Sequence, residues 1–394
     1  MRNIALKFLK NPFCLYVFSF SFVLCVFHLG WSEIYPPLGA GLIVFFVITF
    51  LLALYIGAFT DRYLPVKYSE ITVSGRPYRT VFILYLLYVL EFIYTGGIPI
   101  LLALKTATYD YQEFGIPTLH PIIATFGSFY TVYIFHLFLS TREKKYLTIL
   151  LLLLAIPVLI FNRGMLLINL TSMLFIYLLS VKRIKLKVLM FLLISSLVIL
   201  YLFGVLGNYR LAKSPDNEYF LEISGANDKF LNSGIPKEYM WSYIYVSSPI
   251  ANLQNNINNN PPVNFKVLDF LIMELLPDFI SKRISPLAGA ERPEPRNISH
   301  NFIVGTVFCS SYNLLGWPGI YLMFFAITFF VLFYLGLLRK SNPYYVTGVS
   351  ILMTFMVYNT FDNMIYFSGI SFQLVYPLVW PVFQKFTIKP KAIR

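Results

Sequence analysis

Uncharged apolar runs long enough to cross a lipid bilayer recur along this whole chain and constrain its fold more than any other feature. A helix needs roughly 17–25 mainly apolar residues to cross the hydrocarbon core. Only 12% of the 394 residues are charged, whereas soluble globular proteins average about 25%. No polar domain flanks the runs, so the sequence predicts one all-α, polytopic membrane domain over 1–394. The ten predicted helices span 12–29, 38–59, 80–104, 118–139, 146–161, 164–181, 188–206, 314–338, 344–361 and 365–384.

The distribution of Lys and Arg predicts which side of the membrane each connection faces. With the N-terminus inside, the connections on that side hold 20 of the 31 basic residues but only three acidic ones, Asp61, Glu70 and Glu143. Cytoplasmic connections carry such an excess of Lys and Arg. We therefore predict that both termini lie inside. Because this bias also accounts for the net charge of +13, no nucleic-acid partner is expected.

The predicted topology leaves two long segments outside, a first outer loop over 95–117 and a large loop over 207–310. The large loop connects the seventh and eighth predicted helices. Within it, Tyr239–Leu253 and Phe265–Leu276 are amphipathic and are predicted to lie as helices on the membrane surface. The Asn-rich run 255–260 and the two prolines that follow it are predicted to break these helices apart.

Four arginines lie at predicted outer helix ends or in the large loop, namely Arg163, Arg210, Arg292 and Arg296. A cation at a membrane boundary is costly unless it finds a partner or water. A guanidinium stays charged and binds phosphate oxygens through paired hydrogen bonds. These side chains are therefore candidate ligands for a lipid-linked phosphate. The alternatives are a snorkelling side chain for Arg163, a structural helix end for Arg210, and salt bridges to neighbouring glutamates for the other two.

Three residues are candidates for accepting a proton during catalysis. His300 precedes the eighth predicted helix, and a neutral imidazole can take a proton from an attacking hydroxyl. Glu91 lies within the third predicted helix and Asp362 at an outer hairpin tip, where burial or pairing alters the basicity of a carboxylate. Each has a structural alternative, as a hydrogen-bonded histidine or a paired carboxylate.

The remaining ionisable residues point away from metal chemistry. No Asp-x-Asp pair occurs, which disfavours metal-dependent transfer from a sugar nucleotide, so no metal site is predicted. The other histidines, His120 among them, are interpreted as packing or interfacial residues. The carboxylates of the large loop, including Glu274, are interpreted as mostly solvated surface.

Several short motifs together resemble bacterial O-antigen or oligosaccharide repeat-unit polymerases of the Wzy type, which are related to the O-antigen ligases. The resemblance extends over nearly the whole chain. Its motifs are Glu91 through Gly97-Ile98-Pro99 with Phe114-Gly115-Ile116-Pro117-Thr118-Leu119-His120, Asn162-Arg163-Gly164, Gly207-Asn208-Tyr209-Arg210, and Ser299-His300-Asn301-Phe302-Ile303 followed by Leu315-Gly316-Trp317-Pro318-Gly319.

The resemblance implies a GT-C-like glycosyltransferase of the bacterial inner membrane whose active site faces the periplasm. It implies undecaprenyl-pyrophosphate-linked glycans as substrates, no metal or cofactor, and a chain-length regulator and a flippase as partners. It implies that Arg163 and Arg210 contact the pyrophosphate and that His300 acts as the base. The pair His300-Asn301 also resembles the ligase branch, whereas the Gly-Ile-Pro motifs favour a polymerase.

Two other functions stay open at this point. A ligase would transfer finished glycan to lipid A core, and a flippase or transporter would move the lipid-linked glycan without extending it. Transporters commonly show internal repeats and cations within the membrane, while this chain concentrates its candidate cations outside. A membrane acyltransferase is a more distant alternative.

Overall fold

The computed structural model describes residues 6–73, 77–105, 114–212, 218–262, 264–338, 340–379, 381 and 386–388. Within these ranges the fold is helical apart from one antiparallel ribbon, in which β1 (Ile71–Val73) pairs with β2 (Phe386–Ile388). A 3-10 turn spans Phe372–Leu374. The helices are α1 Pro12–Phe27, α2 Ala40–Tyr63, α3 Pro77–Thr95, α4 Pro99–Lys105, α5 Leu119–Thr141, α6 Lys144–Leu159, α7 Arg163–Ser180, α8 Leu186–Ala212, α9 Glu218–Ile223, α10 Asp228–Leu231, α11 Tyr239–Asn259, α12 Val267–Glu274, α13 Asp278–Ala288, α14 Cys309–Leu337, α15 Tyr345–Tyr358, α16 Ser368–Ser371 and α17 Tyr376–Val379.

Six helical stretches in the described chain are long and apolar enough to cross a membrane, in agreement with an all-α polytopic membrane protein. They are Ala40–Tyr63, Pro77–Ala103, Leu119–Thr141, Arg163–Ser180, Leu186–Tyr209 and Cys309–Leu337. The sequence predicts ten spans. Three of the other four predicted spans correspond to helices that are shorter than expected. Helices α1, α6 and α15 contain 16, 16 and 14 residues, fewer than a perpendicular crossing needs.

Two of the predicted helices are not single helices in the structure, and the eighth contains a kink at Gly316, within α14. The third is divided between α3 and α4 at Gly96, whose φ of +79° is a left-handed conformation that glycine adopts without strain. Pro99 then occupies the first position of α4, where its missing N–H leaves no hydrogen bond unmade. The tenth predicted helix, 365–384, is replaced by α16, the 3-10 turn and α17 in the described residues.

The centre of the bundle is formed by α5, α15 and α11. Helix α15 packs against α7, α1 and α5, and twelve of its fourteen residues are buried. Helix α11 packs against α1, α8 and α14. Helix α8 has the opposite character, since almost all of its apolar side chains are exposed at the rim of the protein, where lipid would cover them.

Side-chain contacts define two ends of the bundle. At the first, here called the ribbon end, Lys10 Nζ donates to the Val181 carbonyl at 2.8 Å, and Asn11 Nδ2 donates to Asp61 Oδ1 at 2.9 Å. These bonds join the start of α1 to the ends of α7 and α2, and the ribbon lies beside the end of α5. The opposite end, here called the cap end, carries the short helices α9, α10, α12 and α13 and the segment 289–308.

Helix α11 is not the surface helix that the sequence predicts for Tyr239–Leu253. It continues to Asn259, so the Asn-rich run extends the helix instead of ending it, and thirteen of its residues are buried. The reason is that its polar side chains find partners inside the protein. A buried polar group is tolerated when it is hydrogen-bonded, and the asparagines of α11 bond a distant extended segment described below.

Candidate functional site

Arg163 presents an exposed guanidinium at the cap end. It is the first residue of α7, and the Asn162 side chain caps that helix by accepting a hydrogen bond from Met165 N at 2.9 Å. Arg163 Nη2 donates to the Tyr245 hydroxyl at 3.3 Å, and its guanidinium lies 5.8 Å from the centre of the Phe203 ring. Contact with aromatic rings orients a guanidinium while leaving N–H groups available for an anion.

An aromatic shelf lies beside Arg163. Its members are Phe203, Phe220, Trp241, Tyr245 and Phe361, with Phe220 and Trp241 stacked at 3.7 Å and Tyr245 stacked on Phe361 at 6.5 Å.

Two residues of the motif at the end of α8 hold this shelf in place. Trp241 Nε1 donates to Asn208 Oδ1, and a Cβ on Gly207 would lie 2.5 Å from the Trp241 ring. The motif therefore serves the packing of Trp241. Arg210 lies in the last turns of α8, and its side chain lies outside the described residues.

An asparagine ladder on α11 holds the extended segment 294–304. Asn252 Nδ2 donates to the carbonyls of Phe302 and Val304 at 2.6 and 2.7 Å, and its Oδ1 accepts from Ile298 N at 2.8 Å. Asn256 bonds both backbone groups of Arg296. Its Nδ2 donates to the Arg296 carbonyl at 3.0 Å, and its Oδ1 accepts from the Arg296 N–H at 2.9 Å. The two side-chain amides thus give the backbone of segment 294–304 the hydrogen bonds that it would make to a neighbouring strand in a β-sheet.

The ladder leaves the Arg296 and His300 side chains exposed. Neither side chain has a hydrogen-bond partner among the described residues. Both are therefore accessible for binding, but nothing in that part of the chain orients the His300 ring.

Arg292 is held by a buried carboxylate instead of by its neighbours in the sequence. Its Nε lies 3.3 Å from Glu274 Oε1 and donates to Ser310 Oγ at 3.2 Å, while its guanidinium lies 4.4 Å from the centre of the Tyr366 ring. Burial lowers the pKa of Arg292, but Glu274 and Asp362 outweigh it and raise that pKa overall. The Arg292 guanidinium is thus paired with Glu274 within the protein, while its side chain keeps 33% exposure and its phosphate role stays a prediction.

Glu274 lies in the large loop but is fully buried, so its interpretation as solvated surface is wrong. Asn363 Nδ2 donates to its Oε2 at 2.9 Å. Burial raises the pKa of Glu274, and Arg292 only partly offsets this. Burial likewise raises the pKa of Asp362, which accepts from the Asn363 N–H at 2.7 Å. The two carboxylates and Arg292 form one electrostatic cluster below the hairpin tip.

Glu91 forms a second buried pair, with a partner that sequence analysis interprets as a packing residue. Its side chain is fully buried, and its Oε2 lies 3.0 Å from Nδ1 of His120, which keeps 21% exposure. Glu91 Oε1 accepts from Ile116 N at 3.3 Å. The motif that contains Gly115 and Ile116 signals this site, but only the fold brings it onto Glu91.

A further cation, which the sequence did not indicate, contacts the residue that precedes α5. Arg283 is exposed on α13, and its Nη2 donates to Thr118 Oγ1 at 2.8 Å, next to the first turn of α5. Arg283 also lies 4.8 Å from the centre of the Phe279 ring. Among the residues that the structure describes, no group of three or more His, Cys, Asp or Glu side chains converges as metal ligands would.

Arg163, Arg296, His300 and the Glu91–His120 pair thus all lie at the cap end, where Arg292 and Asp362 are half-buried. Comparison of the chain with protein-family models, characterised proteins and solved structures gives no match.

Proposed function

We propose that this chain is a membrane glycosyltransferase that polymerises undecaprenyl-pyrophosphate-linked repeat units of a surface polysaccharide. The carrying observation is the exposed Arg163 guanidinium, held over two aromatic rings at the cap end. Arg296 supplies a second exposed guanidinium at the same end of the bundle. Paired N–H donors suit pyrophosphate oxygens, and the partly exposed rings of Phe203, Tyr245 and Phe361 suit the apolar faces of sugar rings.

The proposed orientation puts the cap end on the periplasmic side of a bacterial inner membrane. It rests on charge, because the termini and connections assigned to the ribbon end hold 20 of the 31 basic residues. Such connections remain in the cytoplasm during insertion. In this proposal a flippase delivers the lipid-linked repeat units to the periplasmic face, so the proposed site and its substrates share a compartment.

In the proposed reaction, a hydroxyl of one lipid-linked repeat attacks the anomeric carbon of a second lipid-linked glycan, with inversion. The bond from that carbon to the pyrophosphate breaks, and the pyrophosphate leaves with the electron pair. A guanidinium stabilises the growing negative charge, which is commonly the largest catalytic term. The donor is already activated by its pyrophosphate, so the proposal assigns no metal or cofactor.

The test is elongation of a purified lipid-linked repeat by the purified protein. We expect Arg163→Ala to lower the rate by about 10²–10³-fold, the usual effect of losing one donor to a developing charge. The matched control is Arg62→Ala, because Arg62 also contacts an aromatic ring, Tyr63, but lies at the ribbon end. Full activity in both Arg163→Ala and Arg296→Ala would overturn the assignment of the guanidiniums.

The same preparation separates the polymerase from its rivals. Extended chains on the lipid support a polymerase. Transfer of glycan to lipid A core without extension would identify a ligase, and movement of the lipid across liposomes without extension would identify a flippase. Either of the last two results would overturn the proposed reaction.

A further inference from the structure

The pair formed by Glu91 and His120 has the arrangement of an oriented general base. We propose that His120, positioned by Glu91, accepts the proton of the attacking hydroxyl, an inference that rests on the proposed glycosyl transfer. His120 would be the catalytic residue, and Glu91 would be a positioning residue because its carboxylate is enclosed.

The contact with Glu91 determines which nitrogen of His120 carries the proton. An imidazole acts as a base only through a nitrogen that carries no proton, and a hydrogen bond at the other nitrogen decides which one that is. Nδ1 of His120 lies 3.0 Å from Glu91 Oε2. A carboxylate accepts hydrogen bonds, so the proton belongs on Nδ1 and the lone pair on Nε2. Within the described chain, Nε2 has no hydrogen-bond partner, and the ring is partly exposed.

Neighbouring groups restrict the movement of both Glu91 and His120. Glu91 Oε1 is occupied by the Ile116 N–H, and the Phe114 ring meets the imidazole edge-on at 5.1 Å between centroids. Gly115 lies directly against the imidazole, where an added Cβ would come within 2.6 Å of His120 Cγ. Contacts on several sides therefore fix the ring, and precise positioning is what a catalytic group requires.

A positive charge also lies at the start of α5. Arg283 donates to Thr118 Oγ1, two residues before His120. A guanidinium and an oriented imidazole thus adjoin the same first turn of α5. A base and a cation at one place suit a reaction in which a proton leaves the attacking oxygen while charge grows on the leaving pyrophosphate. His300, by comparison, is exposed and has no orienting partner among the described residues.

Proton transfer accompanies the exchange of bonds at the anomeric carbon. The O–H bond of the acceptor hydroxyl breaks and its proton passes to His120 Nε2. The hydroxyl oxygen forms a bond to the anomeric carbon, and the bond from that carbon to the pyrophosphate oxygen breaks. The resulting imidazolium is stabilised by the Glu91 carboxylate and later releases its proton to water.

The experiment measures kcat and KM for elongation of the lipid-linked repeat. His120→Gln keeps a donor that can bond Glu91 but lacks the basic nitrogen. We expect kcat to fall about 10²–10⁴-fold, the usual effect of losing a general base, with KM little changed. His28→Ala is the matched control, since His28 is an exposed histidine at the end of α1. Wild-type kcat in His120→Gln would overturn the proposal.

Chemical rescue separates catalysis from a purely structural role. Added imidazole is expected to restore part of the activity of His120→Ala, because a small base can enter the space left by the ring. It is expected to leave Glu91→Gln unrescued, because that variant keeps its imidazole and loses only its orientation. A folded His120→Ala variant without rescue, or loss of activity in His300→Ala alone, would contradict the assignment while leaving the glycosyl transfer intact. Failure of the wild-type protein to elongate would instead overturn the proposed function.

Discussion

Glu91 and Glu274 are both fully buried carboxylates, yet their surroundings differ in one decisive respect. Glu274 pairs with Arg292, whose other contacts, Ser310 and Tyr366, are internal. Glu91 pairs with His120, which keeps a nitrogen without a partner in the described chain and 21% exposure. The Arg292 side chain keeps 33% exposure, but a guanidinium does not give up its proton in proteins, so the first pair presents no group that can accept one. The second pair presents a group that can exchange a proton.

The difference shows that burial of a charge does not by itself indicate a functional site. Removing a carboxylate from water costs several kcal/mol per ion, and a buried pair repays that cost only with good geometry and further hydrogen bonds. The Glu274–Arg292 pair has such bonds and joins three segments of the cap, so we interpret it as a clamp. The Glu91–His120 pair is interpreted as the catalytic counterpart.

The clamp interpretation predicts a large loss of stability on removal of Arg292. Arg292→Ala leaves the Glu274 carboxylate buried without its cation, and breaking such a pair costs about 3–5 kcal/mol. Thermal or denaturant unfolding of the purified protein in detergent measures the loss. Adding Glu274→Gln to Arg292→Ala is expected to recover part of it, because a neutral amide is easier to bury than an unpaired charge.

Arg296→Ala is the matched control for the clamp, because Arg296 lies only four residues after Arg292 and its side chain is exposed. We expect its unfolding free energy to change by less than about 0.5 kcal/mol. An Arg292→Ala variant as stable as wild type but unable to bind the lipid-linked repeat would contradict the clamp and return Arg292 to the phosphate role.

The catalytic interpretation of the other pair predicts an effect of Gly115→Ala on rate. The new methyl group would meet the His120 ring at 2.6 Å, so the imidazole must move. A displacement of about 1 Å in a catalytic group can cost about 10²-fold, and kcat is the quantity to measure.

Gly96→Ala is the control for backbone strain. Gly96 has a similar positive φ of +79°, but no atom lies within 4 Å of the added methyl group. Equal losses of kcat in the two variants would show that strain, not the position of His120, is responsible.

The sequence predicted the long helices well because each depends on a local property, an uncharged run of sufficient length. Eight predicted helices coincide with observed ones, to within four residues at all but two of their ends. The failures involve partners distant in sequence. Helix α11 is buried because Asn252 and Asn256 bond a segment about 40 to 50 residues further on. No hydrophobic pattern within α11 carries that information.

The residues of the candidate site likewise differ in whether local sequence or a distant partner reveals them. Arg163, Glu91 and Asp362 were identified because a charge near a membrane span is conspicuous in the sequence. Glu274 was misinterpreted and His120 overlooked because their roles depend on pairing, with Arg292 in one case and with Glu91 in the other. Only the turn at Gly115 and Ile116 hinted at the second pair, since a glycine next to a helix start can mark a close approach of backbone to a side chain.

The pH dependence of stability offers the smallest and most specific test of the clamp. Burial raises the pKa of Asp362, more than the Asn363 N–H and Arg292 lower it. The folded protein therefore retains this proton at pH values where the unfolded chain has released it. The resulting stability is fully present below the ordinary pKa of an aspartate and is lost as pH rises through the raised pKa. Glu274 contributes in the same direction.

Asp362→Asn removes one of these two acids without changing the shape of the side chain. The unfolding midpoint of the variant is expected to fall less steeply with rising pH than that of the wild type over that interval. Asp228→Asn, at an exposed position on α10, is the matched control for the substitution. If Asp362→Asn instead showed the same slope as the wild type, Asp362 would not belong to the electrostatic cluster of Glu274 and Arg292. The clamp would then consist of the Glu274–Arg292 ion pair alone. The two buried glutamates would differ only in their partner, which is Arg292 for Glu274 and His120 for Glu91.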